Sequence, residues 1–241
     1  MLSVLYFYKN NNITSECFEL IVQALHGRPL EGRRRPLELF INDCNITNIS
    51  ALDTYTPSNL RSLGLGGTNI GRQGCITLAN ILQKEDSNLI YLAIDKSGIG
   101  DEEVDLLVTS LENNTKLKEV YLPGNDITER GVRALLKLLI DASSIKNTYN
   151  SNHTLEILQI YSFGPSESEY NAGMRWEHVQ LVLEVNKLYQ SSHAAGRAKV
   201  IKYQLNSQNR RSYAVYKVLN IQLVVSSQTS ILLLFCRVSL H

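Results

Sequence analysis

Leu60-Arg61-Ser62-Leu63-Gly64-Leu65 returns as Leu89-Ile90-Tyr91-Leu92-Ala93-Ile94 and again as Leu117-Lys118-Glu119-Val120-Tyr121-Leu122, after 29 and then 28 residues. Self-similarity at that period constrains the chain more than any other feature, because it means stacked units that share one core. Downstream, Ile70, Gly74, Leu78 and Leu82 correspond to Ile99, Glu103, Leu107 and Leu111, then to Ile127, Gly131, Leu135 and Leu139. Leu63-x-Leu65 alternates with period two, as a strand with one buried face does. Gly74, Leu78 and Leu82 recur at helical spacing, as one stripe of a helix does. Between them, Gly66-Gly67-Thr68-Asn69 and Pro123-Gly124-Asn125-Asp126 carry turn chemistry. Each unit reads strand, turn, helix, with successive strands parallel.

The register extends both ways with less fidelity. Leu5 and Phe7, followed by Asn10, Ile13, Cys17, Ile21 and Leu25, read as an earlier copy. Leu39 and Ile41, with Cys44 and Ile46, read as a copy short in its helical half, only 24 residues before Leu63. Leu155, Leu158 and Ile160 open one more strand. The sequence therefore predicts an α/β chain with six strands and three well-formed full repeats.

The pattern Leu-x-x-Leu-x-Leu, then Asn, Cys or Thr, then Ile, Gly, Leu and Leu at these spacings, resembles the ribonuclease-inhibitor-type leucine-rich repeats. These also occur in the ligand-sensing ends of NOD-like receptors. Cys44, Thr68, Ser97 and Asn125 fall where that family turns the chain. The segment Ser143-Ser144-Ile145-Lys146-Asn147-Thr148-Tyr149, with Ser151-Asn152-His153-Thr154-Leu155 after it, is similar to one in leucine-rich repeat proteins of unicellular algae. The resemblance implies a leucine-rich repeat solenoid, a curved parallel sheet lined by helices. It implies function far more weakly, since function lives in sites grafted on folds.

A chain of 241 residues can bury a core of its own. Its net charge of +1 provides no overall field for nucleic acid or an acidic membrane. Cys17, Cys44, Cys75 and Cys236 are widely spaced, and three of the four fall on repeat positions expected to be buried, which argues against a disulfide framework. Residues 1–8 are apolar but lack the basic start and small-residue cleavage site of a signal peptide, and they fit the repeat register. Sequons begin at Asn12, Asn45, Asn48, Asn113 and Asn152, yet repeat turns are naturally rich in Asn, Ser and Thr. The default expectation is a cytoplasmic, reduced protein.

Residues beside the strand leucines face away from the core. In chain order one column reads Tyr6, Phe40, Gly64, Ala93, Tyr121, Gln159. Its neighbours read Val4, Glu38, Ser62, Tyr91, Glu119, Ile157 and Tyr8, Asn42, Gly66, Asp95, Pro123, Tyr161. Two aromatic clusters stand out, with Glu38, Asp95 and Glu119 beside them. Aromatics on an exposed sheet face are what a protein-binding hot spot needs, and the acids favour a partner segment carrying Lys or Arg. The competing account is that Tyr and Phe merely suit strands and pack on neighbouring repeats. Gly64 and Gly66 are expected to leave the middle of the face open, either as a groove or as weak packing. The candidate protein-binding set is Tyr6, Tyr8, Glu38, Phe40, Tyr91, Asp95, Glu119, Tyr121, Gln159 and Tyr161.

Two long connections, Leu25 to Leu39 and Leu139 to Leu158, fall between helix end and strand start. Both are expected to emerge on one rim, a frequent place for contacts. The first carries Arg28, Arg33, Arg34 and Arg35 and reads as a solvated basic tip rather than a nucleic-acid site. Chemistry is sparse elsewhere. The chain has no Gly-x-x-x-x-Gly-Lys-Ser/Thr loop, which separates it from intact NOD-like receptors, and no Gly-x-Ser-x-Gly elbow. His26, His153, His178, His193 and His241 have no metal-ligand spacing. Asp101-Glu102-Glu103 begins a helix, where acids complement the macrodipole. No catalysis, cofactor or metal is expected.

Three regions are predicted: a leucine-rich repeat domain over 1–163, a helical C-terminal cap over 164–211, and a divergent apolar tail over 212–241. The chain begins inside a strand, and a bare parallel edge there predicts self-association. Residues 164–168 read as a linker. Trp176, Val179, Val182, Leu183 and Leu188 step as an amphipathic helix over about 175–189, and Ser192 is placed to cap a second over 194–203. The resemblance implies that these helices close the array. Residues 213–225 and 231–238 suggest a β-hairpin. A tail anchor is disfavoured by Asn220, Gln222, Ser226, Ser227, Gln228, Thr229 and Ser230.

The function these features favour is a non-catalytic protein-interaction scaffold that binds a polypeptide on the concave sheet face, without nucleic acid or membrane. The alternatives are a GTPase-activating regulator of a Ran-like small GTPase and a truncated repeat fragment without independent function. The former needs an Asn or Arg aimed from the sheet edge at a nucleotide, and no such set is visible.

Overall fold

The structure, a computed structural model, describes residues 3–26, 35–160, 176–189 and 192–201. It contains one wholly parallel sheet of six strands whose spatial order is their order in the sequence. The strands are β1 (Val4–Tyr8), β2 (Leu37–Asn42), β3 (Leu60–Gly64), β4 (Tyr91–Ala93), β5 (Glu119–Tyr121) and β6 (Ile157–Gln159). Parallel neighbours require a crossover. Helices α1 (Ser15–His26), α2 (Ala51–Tyr55), α3 (Gly71–Gln83), α4 (Asp101–Leu111) and α5 (Glu129–Leu139) supply it, with a further short helix α6 (Ile145–Asn150) before β6. Helices α7 (Trp176–Leu188) and α8 (Ser192–Lys199) follow the last strand.

Alternation along the strands decides which face is buried. Leu39, Ile41, Leu63, Leu65, Leu92, Ile94, Val120, Leu122, Leu158 and Ile160 enter one core with Phe18, Val22, Leu78, Leu82, Leu107, Leu111, Leu135 and Leu139 from the helices. The chain leaves each of the first five strands through a left-handed residue at the same place: Lys9, Asp43, Gly67, Lys96 and Gly124, with φ of 51°, 52°, 69°, 49° and 74°. Three of these are not glycine, so the turn is held by its surroundings rather than by glycine's freedom. The turn residues do that holding from inside. Ser97 Oγ donates to the Leu65 carbonyl at 3.0 Å, and Asn125 Nδ2 donates to the Ile94 and Leu122 carbonyls, both at 2.8 Å. Thr68 Oγ1 likewise donates to Leu65 O.

A second set of side chains ties each unit to the one before it at the helix ends. Asn114 Nδ2 donates to Leu82 O at 2.8 Å, while its Oδ1 accepts the N–H groups of Lys116 and Leu117 at 2.9 and 2.8 Å. Asn152 repeats this: Nδ2 donates to Leu111 O at 2.8 Å and Asn114 O at 3.4 Å, and Oδ1 accepts from Thr154 and Leu155, both at 2.9 Å. Both amides are buried. The Asn152 sequon therefore lies where no glycan fits the folded chain.

The carbonyl of Leu139 is the next in that series, and no asparagine among the described residues reaches it. Lys199 of α8 does: its fully buried Nζ donates to Leu139 O at 2.8 Å and to Asn152 O at 2.7 Å. Asn186 of α7 donates to Leu155 O at 2.6 Å. Helix α8 approaches closely enough for this because residue 196 is glycine, where a Cβ would stand 2.9 Å from Tyr149 O and 3.2 Å from His153 Nε2. Nε2 of His153 donates to the Tyr149 carbonyl at 2.7 Å, and Nδ1 is buried with no partner among the described residues. Burial, and then the nearby Lys199 charge, hold this imidazole at a pKa of about 4.

Several expectations need correction. The second long connection is not a free rim loop: it folds as α6, and α8 packs against it. In α7, Val179, Val182 and Leu183 are buried as expected, but Leu188 is 62% exposed. Asn186 takes the inward place at the end of that stripe, because the carbonyls there need a donor more than the core needs another leucine. Helix α8 begins at Ser192 itself rather than at Ala194. Arg28, Arg33 and Arg34, the linker at 164–168, Cys236 and the suggested hairpin lie outside the described residues.

Two outcomes follow from the buried polar contacts. Asn152→Ala removes donors for two carbonyls and the acceptor for two N–H groups, and is expected to lower stability by roughly 2–4 kcal/mol in urea denaturation, whereas Asn113→Ala, at an exposed position, stays within about 0.5 kcal/mol. Burial also lowers the Lys199 pKa from 10.5 to about 7. Between those values the unfolded chain holds a proton that the folded chain has released, so stability contributed at this site rises with pH from about 7 towards 10.5. Denaturation midpoints measured across that window should climb more steeply in the wild-type chain than in Lys199→Met.

Candidate binding surface

The face of the sheet turned away from the core is built by strand pairing. Tyr6 pairs with Phe40, Phe40 with Gly64, Gly64 with Ala93, Ala93 with Tyr121, and Tyr121 with Gln159. The adjoining column runs Val4, Glu38, Ser62, Tyr91, Glu119 and Ile157 in the same register. Both columns alternate with the core-facing leucines and lie outside the hydrophobic core cluster, although Gly64 and Ala93 are themselves buried. Tyr6 and Tyr8 are 60% and 50% exposed, while Phe40, Tyr91 and Tyr121 are half-buried against one another.

The rings do not form two clusters. They make one continuous row: Tyr8 to Tyr6 at 6.3 Å between centroids, Tyr6 to Phe40 at 5.9 Å, Phe40 to Tyr91 at 5.8 Å and Tyr91 to Tyr121 at 5.1 Å. The link that joins them crosses β3. Phe40 of β2 and Tyr91 of β4 meet edge-on at 67°, in the geometry that aromatic quadrupoles favour. They meet because β3 carries Gly64 between them, where a Cβ would collide with Phe40 Cδ1. Gly66 is covered in the same way by the Asp95 carboxylate. The middle of the face is therefore filled, not open. Glycine here makes room for neighbours that close over it.

The carboxylates of this face lie among the rings. Tyr121 donates its hydroxyl proton to Glu119 Oε2 at 3.1 Å. Burial, the Glu119 charge, that hydrogen bond and the neighbouring Tyr91 together push the Tyr121 phenol up to about 12. Tyr91 is raised as well, by burial first and then by the charges of Glu119 and Asp95. Among the described residues, Glu38, Asp95 and Glu119 take part in no ion pair, whereas Glu102, Asp105, Glu129 and Glu156 all do. Lys9, in the exit turn of β1, lays its ammonium 5.0 Å from the centroid of Tyr8.

Of the residues chosen from sequence, Tyr6, Tyr8, Phe40, Tyr91 and Tyr121 come together in the row. Glu38, Asp95 and Glu119 flank it, and Gln159 extends it onto β6. Tyr161 lies outside the described residues. Sequence reading missed Lys9, although it follows Tyr8 directly, and missed the contact across β3. The available signal was a glycine standing between two bulky positions two strands apart. Among the described residues no three His, Cys, Asp or Glu side chains gather as a metal site, and no helix is long and apolar enough to cross a membrane. The chain matches no protein-family model.

The coupled phenols give this face a spectroscopic mark. Tyrosinate absorbance should show a group titrating near 12 that disappears in Tyr121→Phe. Glu119→Gln, which removes the adjacent negative charge, should bring the same group back down.

Proposed function

We propose that the chain is a leucine-rich repeat solenoid of the ribonuclease-inhibitor type that works as a non-catalytic protein-interaction module, taking a polypeptide on the aromatic face of its sheet. The observation that carries this reading is the continuous row of five rings from Tyr8 to Tyr121 beside three carboxylates that make no ion pair among the described residues. A hot spot needs large side chains held rigid before the partner arrives, because ordering them on binding would consume affinity. Here Phe40, Tyr91 and Tyr121 are held by one another, so the rings are set in place by the fold. The repeat reading is supported by the sequential parallel strands, the recurrent left-handed exit residue and the asparagine contacts between units.

A cytoplasmic setting suits this module. Cys44 and Cys75 are free and buried, and burial pushes the Cys75 thiol up to about 12, which makes it a poor nucleophile and a poor partner for disulfide exchange. Asn152, by its place in the core, has no use for a glycan.

Changing Tyr91, Glu119 and Tyr121 together to Ala, Gln and Ala should abolish affinity capture of a partner, identified by mass spectrometry, while leaving far-ultraviolet circular dichroism unchanged. Undiminished capture by the triple variant would remove the aromatic face from consideration.

A further inference from the structure

The chemistry of the row specifies its guest more closely. We infer that this face takes a proline-rich segment in the polyproline II conformation, flanked by arginine or lysine and lying across the strands; the inference rests on the binding role proposed above. Three observations lead to it. The main-chain groups of β2–β5 are engaged in the parallel ladder on both sides. A guest on this face therefore cannot gain strand hydrogen bonds and must be recognised by side chains alone. Second, with Gly64 and Gly66 covered by Phe40 and Asp95, the face offers a line of rings rather than a trough. A helix laid on it would bury little of its apolar stripe, because helix recognition uses a groove.

An extended proline segment suits such a line. It has about three residues per turn and a rise of ~3.1 Å each, so one edge of it repeats every ~9 Å. Strands stand ~4.8 Å apart, so every second strand repeats at ~10 Å. Prolines on one edge of the guest can then rest on Tyr6 of β1, between Phe40 and Tyr91, and near Tyr121 of β5. The guest's carbonyls have no partners of their own. The hydroxyls of Tyr6 and Tyr91, which make no hydrogen bond among the described residues, are donors for them.

Charge sets the flanks. Glu38 on β2 stands towards one end of the row and Glu119 on β5 at the other, with the Asp95 carboxylate between them over Gly66, all without ion pairs among the described residues. Cations on either side of the proline core would meet both a carboxylate and a ring face. The chain's own Lys9 already lays its ammonium over the ring of Tyr8.

The test is fluorescence anisotropy with a labelled synthetic peptide of Pro-x-x-Pro repeats bearing arginine at both ends, titrated with the full chain. Saturable binding is expected. It should weaken at least about tenfold when the peptide prolines become alanine, when its arginines become glutamate, or when the chain carries Glu38→Gln, Asp95→Asn and Glu119→Gln. A Tyr6→Ser, Tyr8→Ser variant, altered only at exposed positions, should weaken binding as well and guards against misfolding of the carboxylate variant. Equal affinity for the alanine peptide would overturn the inference. Selection from a random peptide library separates the two levels. Binders that lack proline and basic residues, yet are lost in Tyr91→Ala with Tyr121→Ala, would overturn the guest assignment and keep the face. Binders indifferent to those changes would overturn both.

Discussion

No unit of this molecule can satisfy itself, and the rest of the structure follows from that. Strands β4, β5 and β6 are three residues long, too short to hold a sheet by their own pairing. Each contributes one or two leucine-like side chains that are covered only when the neighbouring helix and the next strand are present. The polar groups obey the same constraint. Ile94 O is reached by Asn125, Leu82 O by Asn114 and Leu111 O by Asn152, in each case from the following unit. A buried carbonyl without a donor costs on the order of 1–3 kcal/mol. Inter-unit hydrogen bonds are thus conditions of stacking, not additions to it.

The same register that aligns the buried side chains also aligns the outward ones, and this makes a surface from residues far apart in sequence. Tyr6 and Tyr121 are separated by most of the sheet's sequence yet belong to one row of touching rings. The row has consequences for its own members. Tyr91 and Tyr121 lose solvent to each other and sit beside carboxylates, which raises both phenols and keeps them neutral hydrogen-bond donors. Rigidity and donor capacity arise together from packing that the core alone does not require.

Most of the fold was legible in the sequence because it repeats. The leucine spacing locates every strand, and the four-residue step locates α3, α4 and α5. What escaped is what happens once per chain. Asn186 is polar at an inward position, so apolar periodicity passes over it and chooses Leu188, which lies in solvent. The Asn-rich connection before β6 has turn-like composition, yet Ser144 accepts the Asn147 N–H at 3.0 Å and starts α6. The candidate site was legible as columns of residues, since register is a matter of counting. Its continuity was not, because Phe40 reaching Tyr91 over Gly64 depends on rotamers, and counting positions does not supply those. A glycine was read as empty space when it was space already used.

Lys199 shows how a repeating pattern of buried carbonyls can be brought to an end. Asn152 gives one N–H each to the last helical leucine of the preceding unit and to the asparagine carbonyl before it. The Lys199 ammonium reproduces this one step on, reaching Leu139 O and Asn152 O. A lysine has the length to come from a helix that is not itself a repeat, and three donors that need no fixed plane. It also brings a charge into a site closed to water, and burial lowers its pKa for that reason. An asparagine carries no such cost but has a shorter reach, and Asn186 of α7 reaches Leu155 O rather than Leu139 O. Where the repeat stops, donors from the two following helices, α7 and α8, take over. The glycine at 196, which lets α8 come close, belongs to the same solution.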